Sequence, residues 1–184
     1  MREGVATLGG RPVASIAEAD AAMWITRMRV GDLQARDPGG APLGLWETAD
    51  AAPLVNEPGS WDLSALHAPD AAQAVAFYGA VFGWRAEPLG ATTLWRLEGY
   101  DGGVPGQPVP RDVVGIMAPH AQDPGAWVVD FRVRSADATV DAAVGLGAVV
   151  LQPPHDEGPF RTADLADPQG AVFSVTAFQW RASR

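Results

Sequence analysis

The sequence predicts an α+β protein built from paired βαβββ modules, with a partial extra module at the N-terminus. Three observations carry that expectation. The order strand, helix, strand, strand, strand occurs twice, over residues 61–120 and 126–180. In each copy a strand leads into an aspartate-capped helix that closes on glycine, at Asp70 and Gly83 and again at Asp137 and Gly147. The turn Asp37-Pro38-Gly39-Gly40-Ala41 recurs as Asp167-Pro168-Gln169-Gly170-Ala171, an internal repeat.

Residues 1–50 read as the partial module. Leu8-Gly9 matches Leu146-Gly147 at a larger offset than the turns do, which places extra residues around Ala21–Val30. The module therefore lacks its first strand and most of its helix. Residues 51–60 read as a linker, since Leu54–Ser60 is polar and carries Pro58 and Gly59. Residues 61–180 read as a complete domain. Trp61–His67 alternates as a strand. Over Asp70–Phe82 the residues Ala71, Ala74, Val75, Tyr78 and Phe82 recur at helical spacing behind the N-cap Asp70. Trp84–Leu89, Thr92–Tyr100 and Val113–Met117 follow as strands, with Asp101–Arg111 a Gly/Pro-rich loop. In the second copy Trp127–Val133 is a strand and Asp137 caps a helix over Ala138–Leu146. Strands over Ala148–Gln152, Arg161–Leu165 and Ala171–Phe178 complete it, the last two joined by the Asp167-Pro168-Gln169-Gly170 turn.

Composition removes several function classes. The 184 residues carry 47% hydrophobic side chains, enough for a packed core. No cysteine is present, which excludes disulfides, thiolate metal sites and cysteine nucleophiles. All 13 basic residues are arginine, so no lysine is available for a Schiff base. The net charge of −9 opposes nucleic-acid binding, which needs a basic face. It serves solubility, or attracts a cationic ligand. No run of 18 uncharged apolar residues marks a transmembrane helix, and Met1–Val5 opens no signal-peptide pattern. The expected location is the cytoplasm.

The stretch Pro58–Trp84, with Asp70, then Phe77-Tyr78, then Val81-Phe82-Gly83-Trp84, resembles a signature of the glyoxalase and bleomycin-resistance superfamily, also called vicinal oxygen chelate. Gly158–Val175 matches its last two strands. The likeness covers Trp61–Phe178 and, in part, Met1–Glu47, and is nearest to the two-domain glyoxalase-like branch with a truncated N-terminal domain. It implies that the paired modules form a curved mixed sheet around a concave pocket for a small molecule. It also implies either a start inside an ancestral first domain or completion of residues 1–50 by a partner chain, as in a homodimer.

Enzymes of that superfamily usually bind one divalent metal through His, Glu or Gln on the first and last strands of the modules. The first-strand ligand lies seven residues before the helix cap, which gives Leu63 in the first full module and Asp130 in the second. The last-strand position gives Ser174 and Gly44, with Gly115, Ile116 and Met117 as candidates in the first full module. Only Asp130 is a good ligand, and one carboxylate does not hold a divalent ion against water. The expectation is a site with no metal and no other cofactor; a divalent metal is the alternative. No GxSxG elbow, Walker loop or dinucleotide fingerprint is present.

Strand alternation places Val128, Asp130, Arg132 and Arg134 on one face and Trp127, Val129, Phe131 and Val133 on the helix-packed face. Asp130 and Arg132 are then a polar pair in the pocket, or a solvated salt bridge on a partly exposed strand. His155, in a loop between two strands, is a general acid or base, or a solvated histidine. His67 and His120 offer no better cluster. Trp46, Trp61 and Trp95, with Val128 and Ser174, are candidate ligand contacts, the tryptophans stacking on a planar ligand or packing in the core. The expected function is metal-independent binding of a mostly apolar, partly aromatic metabolite in secondary metabolism or resistance. If it is an enzyme, it is a metal-free isomerase, cyclase or hydroxylase-like member. The alternatives are a metal-dependent lyase or dioxygenase, and an antibiotic-binding resistance protein without catalysis.

Overall fold

The computed structural model describes residues 3–17, 21–25, 27–28, 33–45, 55–102, 107, 109–122 and 124–179. The α+β expectation holds, with curved mixed sheets and two helices among these residues. The strands are β1 (Glu3–Leu8), β2 (Arg11–Ala17), β3 (Arg27–Met28), β4 (Leu33–Arg36), β5 (Pro42–Leu45) and β6 (Trp61–His67). After helix α1 (Ala71–Phe82) come β7 (Arg85–Leu89), β8 (Thr92–Arg96), β9 (Val113–Met117) and β10 (Ala126–Arg132). After α2 (Ala136–Gly145) come β11 (Val149–Glu157), β12 (Phe160–Ala166) and β13 (Val172–Phe178). The chain divides into two compact units. One is drawn from Met1–Trp24, Ala51–Asp62 and Val129–Arg184, the other from Ile25–Asp50 and Leu63–Val128.

In the second unit, α1 starts where Asp70 leaves the helical backbone and its carboxylate accepts the Gln73 N–H at 3.0 Å. It stops at Gly83, whose φ of 70° admits the left-handed cap and sends its N–H to Gly79 O. The strands run β6-β9-β8-β7, with β6 parallel to β9 and the hairpins antiparallel. The inner face of α1 buries Tyr78 among Trp84, Trp95 and Trp127, and Tyr78 stacks on Trp84 at 5.3 Å and 12°. Met28, Ala41 and Leu43, from the N-terminal segment, are buried in this same core. The Tyr78 hydroxyl donates to Asp37 Oδ2 at 2.9 Å and accepts from Trp127 Nε1 at 2.8 Å. Burial, the largest cause, pushes the phenol well above its usual range, and the adjacent Asp37 carboxylate pushes the same way.

In the first unit the strands run β11-β12-β13-β10, with β10 parallel to β13. Ala136 and Val140 of α2 pack on Ala163, Leu165, Val175 and Ala177, joined by Phe131, Val133 and Phe173. The two Asp-Pro-x-Gly turns have matching geometry. Asp37 and Asp167 each give their N–H to the alanine carbonyl four residues on, at 3.0 Å, and accept that alanine's N–H on a side-chain oxygen at 2.9 Å. Gly40 and Gly170 sit at φ 89° and 91°, a region that L side chains rarely adopt. Around both turns the pairing repeats, with the strand after the turn antiparallel to the one before it and parallel to an earlier strand.

Several local expectations are corrected. The N-cap of α2 is Ser135, whose hydroxyl accepts from Ala138 N at 3.2 Å; Asp137 lies two residues on, within the first turn, and binds Arg161 instead. A serine with extended backbone (φ −151°) caps as readily as aspartate, so the nearest aspartate was the wrong landmark. Leu8-Gly9, matched in sequence to the helix end Leu146-Gly147, instead closes β1 and opens the Gly9-Gly10 turn of the β1–β2 hairpin. The strand expected to run to Tyr100 ends at Arg96, where Tyr100 N turns back to Leu97 O. The strand expected to end at Gln152 runs on to Glu157 through Pro153-Pro154. Prolines are tolerated there because β11 is the end strand of its order, and the register slips beside them.

Candidate functional site

Strand β10 divides its side chains between two faces. Phe131 packs with the α2 core, while Asp130 and Arg132 take the opposite face. Cross-strand register extends that face into two polar rows. Asp130 stands opposite Ser174 of β13, which stands opposite Asp164 of β12. Arg132 stands opposite Thr176, which stands opposite Thr162. Directly opposed residues share a face, so six polar side chains gather on three adjacent strands. The Thr176 hydroxyl donates to Asp130 Oδ1 at 2.9 Å and shares a 3.1 Å bond with the Thr162 hydroxyl. Ser174 Oγ donates to Asp164 at 2.7 Å.

Arg132 is held at both terminal nitrogens and over an aromatic ring. Its Nη2 donates to Asp62 Oδ1 at 2.5 Å and its Nη1 to Asn56 O at 2.8 Å. Its guanidinium carbon lies 4.1 Å from the centroid of the Phe178 ring. Its backbone exchanges bonds with the segment before β6, Gly59 N to Arg132 O and Arg132 N to Ser60 O. Asn56 holds the left-handed backbone (φ 61°) that presents its carbonyl, a conformation asparagine tolerates better than most residues. The stretch read as a linker thus supplies the partners of Arg132. Arg132 Nε is buried and has no hydrogen-bond partner among the described residues.

Asp130 is 8% exposed and makes no hydrogen bond to Arg132; the expected Asp130–Arg132 pair is corrected to an Arg132–Asp62 pair. The physical reason is competition: Asp62 Oδ1 and Asn56 O take the two terminal nitrogens of Arg132. Burial holds the Asp130 carboxyl well above the usual range, and the carboxylates of Asp62 and Asp164 push in the same direction. Burial also raises Asp62, against the opposing pull of Arg132. The face therefore presents a carboxyl held above its usual range beside a guanidinium paired with another aspartate.

The remaining expected site residues scatter. Ser174 is on the face. His155 lies within β11 rather than in a loop, opposite Thr162, and bonds its own strand through Pro153 O at 3.1 Å and Gln152 at 3.3 Å. Thr162 and Thr176 separate it from Arg132 along that row. Trp95 is corrected from a ligand contact to a core residue: it is 0% exposed beneath Tyr78 and Trp84, so no surface is left for a ligand. Trp61 and Val128 are half-buried, with Trp61 at the start of β6. Trp46 lies outside the described residues. Sequence reasoning missed Asp62, Asn56, Thr162, Asp164, Thr176 and Phe178. The alternating polar residues in Thr162-Ala163-Asp164 and Ser174-Val175-Thr176 were a usable signal for four positions of this face.

The family's metal positions do not fit a divalent ion here. Counting seven back from the true cap, Ser135, lands on Val128 instead of Asp130. Leu63, Val128 and Gly44 bring no side-chain donor, and Ser174 is engaged with Asp164. No group of three His, Cys, Asp or Glu among the described residues could hold a metal ion.

Fold and sequence together define a class. A glyoxalase-like domain model matches residues 64–176. The chain belongs to that family, within the vicinal oxygen chelate superfamily. Among curated relatives it is 37% identical over 145 residues to CFP32 of Mycobacterium tuberculosis, which bears a provisional glyoxylase name; the match covers 76% of this chain and 52% of the relative. It is 35% identical over 147 residues to the anthracycline biosynthesis protein DauV of Streptomyces sp. strain C5, covering 76% of this chain and 50% of DauV. The chain thus spans about half the length of the curated relatives it matches. Among solved structures, the 2,3-dioxygenase LapB of Pseudomonas sp. KL28 aligns with a TM-score of 0.50 at 14% identity, over 82% of this chain and 58% of LapB, a likeness of fold alone. No helix among the described residues is long and apolar enough to cross a membrane.

Proposed function

We propose that this chain binds a mostly apolar, partly aromatic metabolite of secondary metabolism on the Asp130–Arg132 face, without a metal ion. The observation that carries the reading is the buried Asp130, its carboxyl held above the usual range, in a polar array of Thr162, Asp164, Ser174 and Thr176. Burying such groups costs stability, so a fold that gathers them at one place is using them. Phe160 and Phe178 stand 5.3 Å apart at the end of the same strands, both half-buried, and supply apolar surface for a ring system. The names of DauV and its Streptomyces peucetius relative DnrV support a polycyclic aromatic ligand.

The test is calorimetric titration with 1,4-dihydroxyanthraquinone, with and without EDTA. Saturable binding that survives the chelator and weakens at least tenfold in Phe178→Ala is expected. Absence of binding, or its loss with EDTA, overturns the reading. Asp130→Asn then separates two modes of action: a metal-free enzyme loses turnover and keeps binding, whereas a sequestering protein has no turnover to lose.

A further inference from the structure

We propose that Asp62 is a positioning residue: by occupying the Arg132 guanidinium it leaves Asp130 as a hydrogen-bond donor for an acceptor oxygen of the ligand, a carbonyl or phenol oxygen. The inference deepens the binding role proposed above and rests on it for the ligand's identity, but its test does not require a ligand. A guanidinium two residues along the same strand is the natural counter-ion for Asp130. It is directed elsewhere by three contacts, the 2.5 Å bond to Asp62, the 2.8 Å bond to Asn56 O and the stack on Phe178. Asp62 and Arg132 are both almost fully buried, so their mutual attraction is poorly screened by water.

The charged groups around Asp130 are Asp62 on β6, Arg132 on β10 and Asp164 on β12; β13 contributes the hydroxyls of Ser174 and Thr176. Burial and the carboxylates of Asp62 and Asp164 favour the protonated form of Asp130, against the Thr176 hydrogen bond and the pull of an Arg132 that is engaged with Asp62. Thr176 donates to Oδ1, which leaves the proton on the other oxygen. A buried protonated carboxyl donates to a ligand oxygen and repels no electron-rich ring substituent, which an ionised Asp130 would do.

Infrared difference spectroscopy tests this on the whole chain. The protonated-carboxyl C=O band of Asp130, assigned by its loss in Asp130→Asn, is expected in the wild type at pH 7. In Asp62→Asn the freed guanidinium ionises Asp130, and the band is expected to vanish at pH 7 and return only on acidification. In the double variant Asp62→Asn, Arg132→Gln the band is expected to return at pH 7, since no cation remains to hold the carboxylate. A wild-type Asp130 that is ionised at pH 7 overturns the proposal without any variant of Asp62 having to fold. So does an Asp62→Asn protein that keeps the band. Failure of 1,4-dihydroxyanthraquinone to bind, with these spectra as expected, sinks the ligand reading and leaves the role of Asp62 standing.

Discussion

Tyr78 and Asp37 stand 41 positions apart in the chain and share a buried 2.9 Å hydrogen bond. Asp37 belongs to an N-terminal turn and Tyr78 to α1, and Trp127 joins them by donating to the same hydroxyl. The bond makes the N-terminal segment part of the second unit's core.

Tyr78→Phe keeps the ring stack and removes only the hydroxyl. It strands Asp37 Oδ2 and Trp127 Nε1 in a buried setting, at about 1–3 kcal/mol for each unsatisfied group. Chemical denaturation is expected to show a loss of about 3 kcal/mol in total. A loss below about 0.5 kcal/mol would show that the network is not holding the segment in place.

Leu43 is 2% exposed in the same core. Leu43→Ala is expected to cost about 2–4 kcal/mol by equilibrium unfolding. A cost near that of a surface substitution would show that Leu43 is not packed in the folded core.

Trp95 packs in the core beside Tyr78 and Trp84. Trp95→Phe is therefore expected to lower thermal stability while changing the affinity for 1,4-dihydroxyanthraquinone less than twofold. A tenfold affinity loss in a folded variant would return Trp95 to the binding surface.

Asp130 gives a pH dependence whose sign is fixed. Its native value lies above the unfolded value of 3.8, so both states are protonated at low pH and the group contributes nothing there. As pH rises past 3.8 the unfolded chain ionises first, and the native state loses ground until Asp130 itself ionises. Asp130→Asn removes that penalty. Its stability relative to wild type is expected to climb between pH 4 and pH 7, by at most roughly 1.4 kcal/mol per pH unit. Parallel denaturation curves at the two pH values would show that Asp130 ionises normally in the native state.

Ser135→Ala is expected to cost about 1 kcal/mol by removing the cap of α2. Asp137→Asn, which loses only an exposed pair with Arg161, is expected to cost less and to lose its effect in high salt. The reverse order, measured by thermal unfolding, would restore Asp137 as the cap.

Much of the architecture was legible because local chemistry dictates it. Asp70 and Gly83 bracket a helix through capping and a left-handed backbone, and the Asp-Pro-x-Gly turns fix the same loop twice. Alternation placed Phe131 on the helix side and Asp130 and Arg132 opposite. Local signals failed where two residues compete for one role, as Ser135 and Asp137 did for the cap, and where edge position excused Pro153 and Pro154 from breaking a strand.

The sequence by itself determined the α+β modules, the face of β10 that carries its charges, and the membership of the glyoxalase-like family. Tertiary structure decided which charge meets which. Period-two alternation says that Asp130 and Arg132 point the same way, but only the backbone path of residues 55–62 brings Asp62 and Asn56 to the guanidinium and leaves Asp130 uncompensated. Pairing energies fall with distance in three dimensions, and distance between groups far apart in the chain is what sequence spacing does not contain.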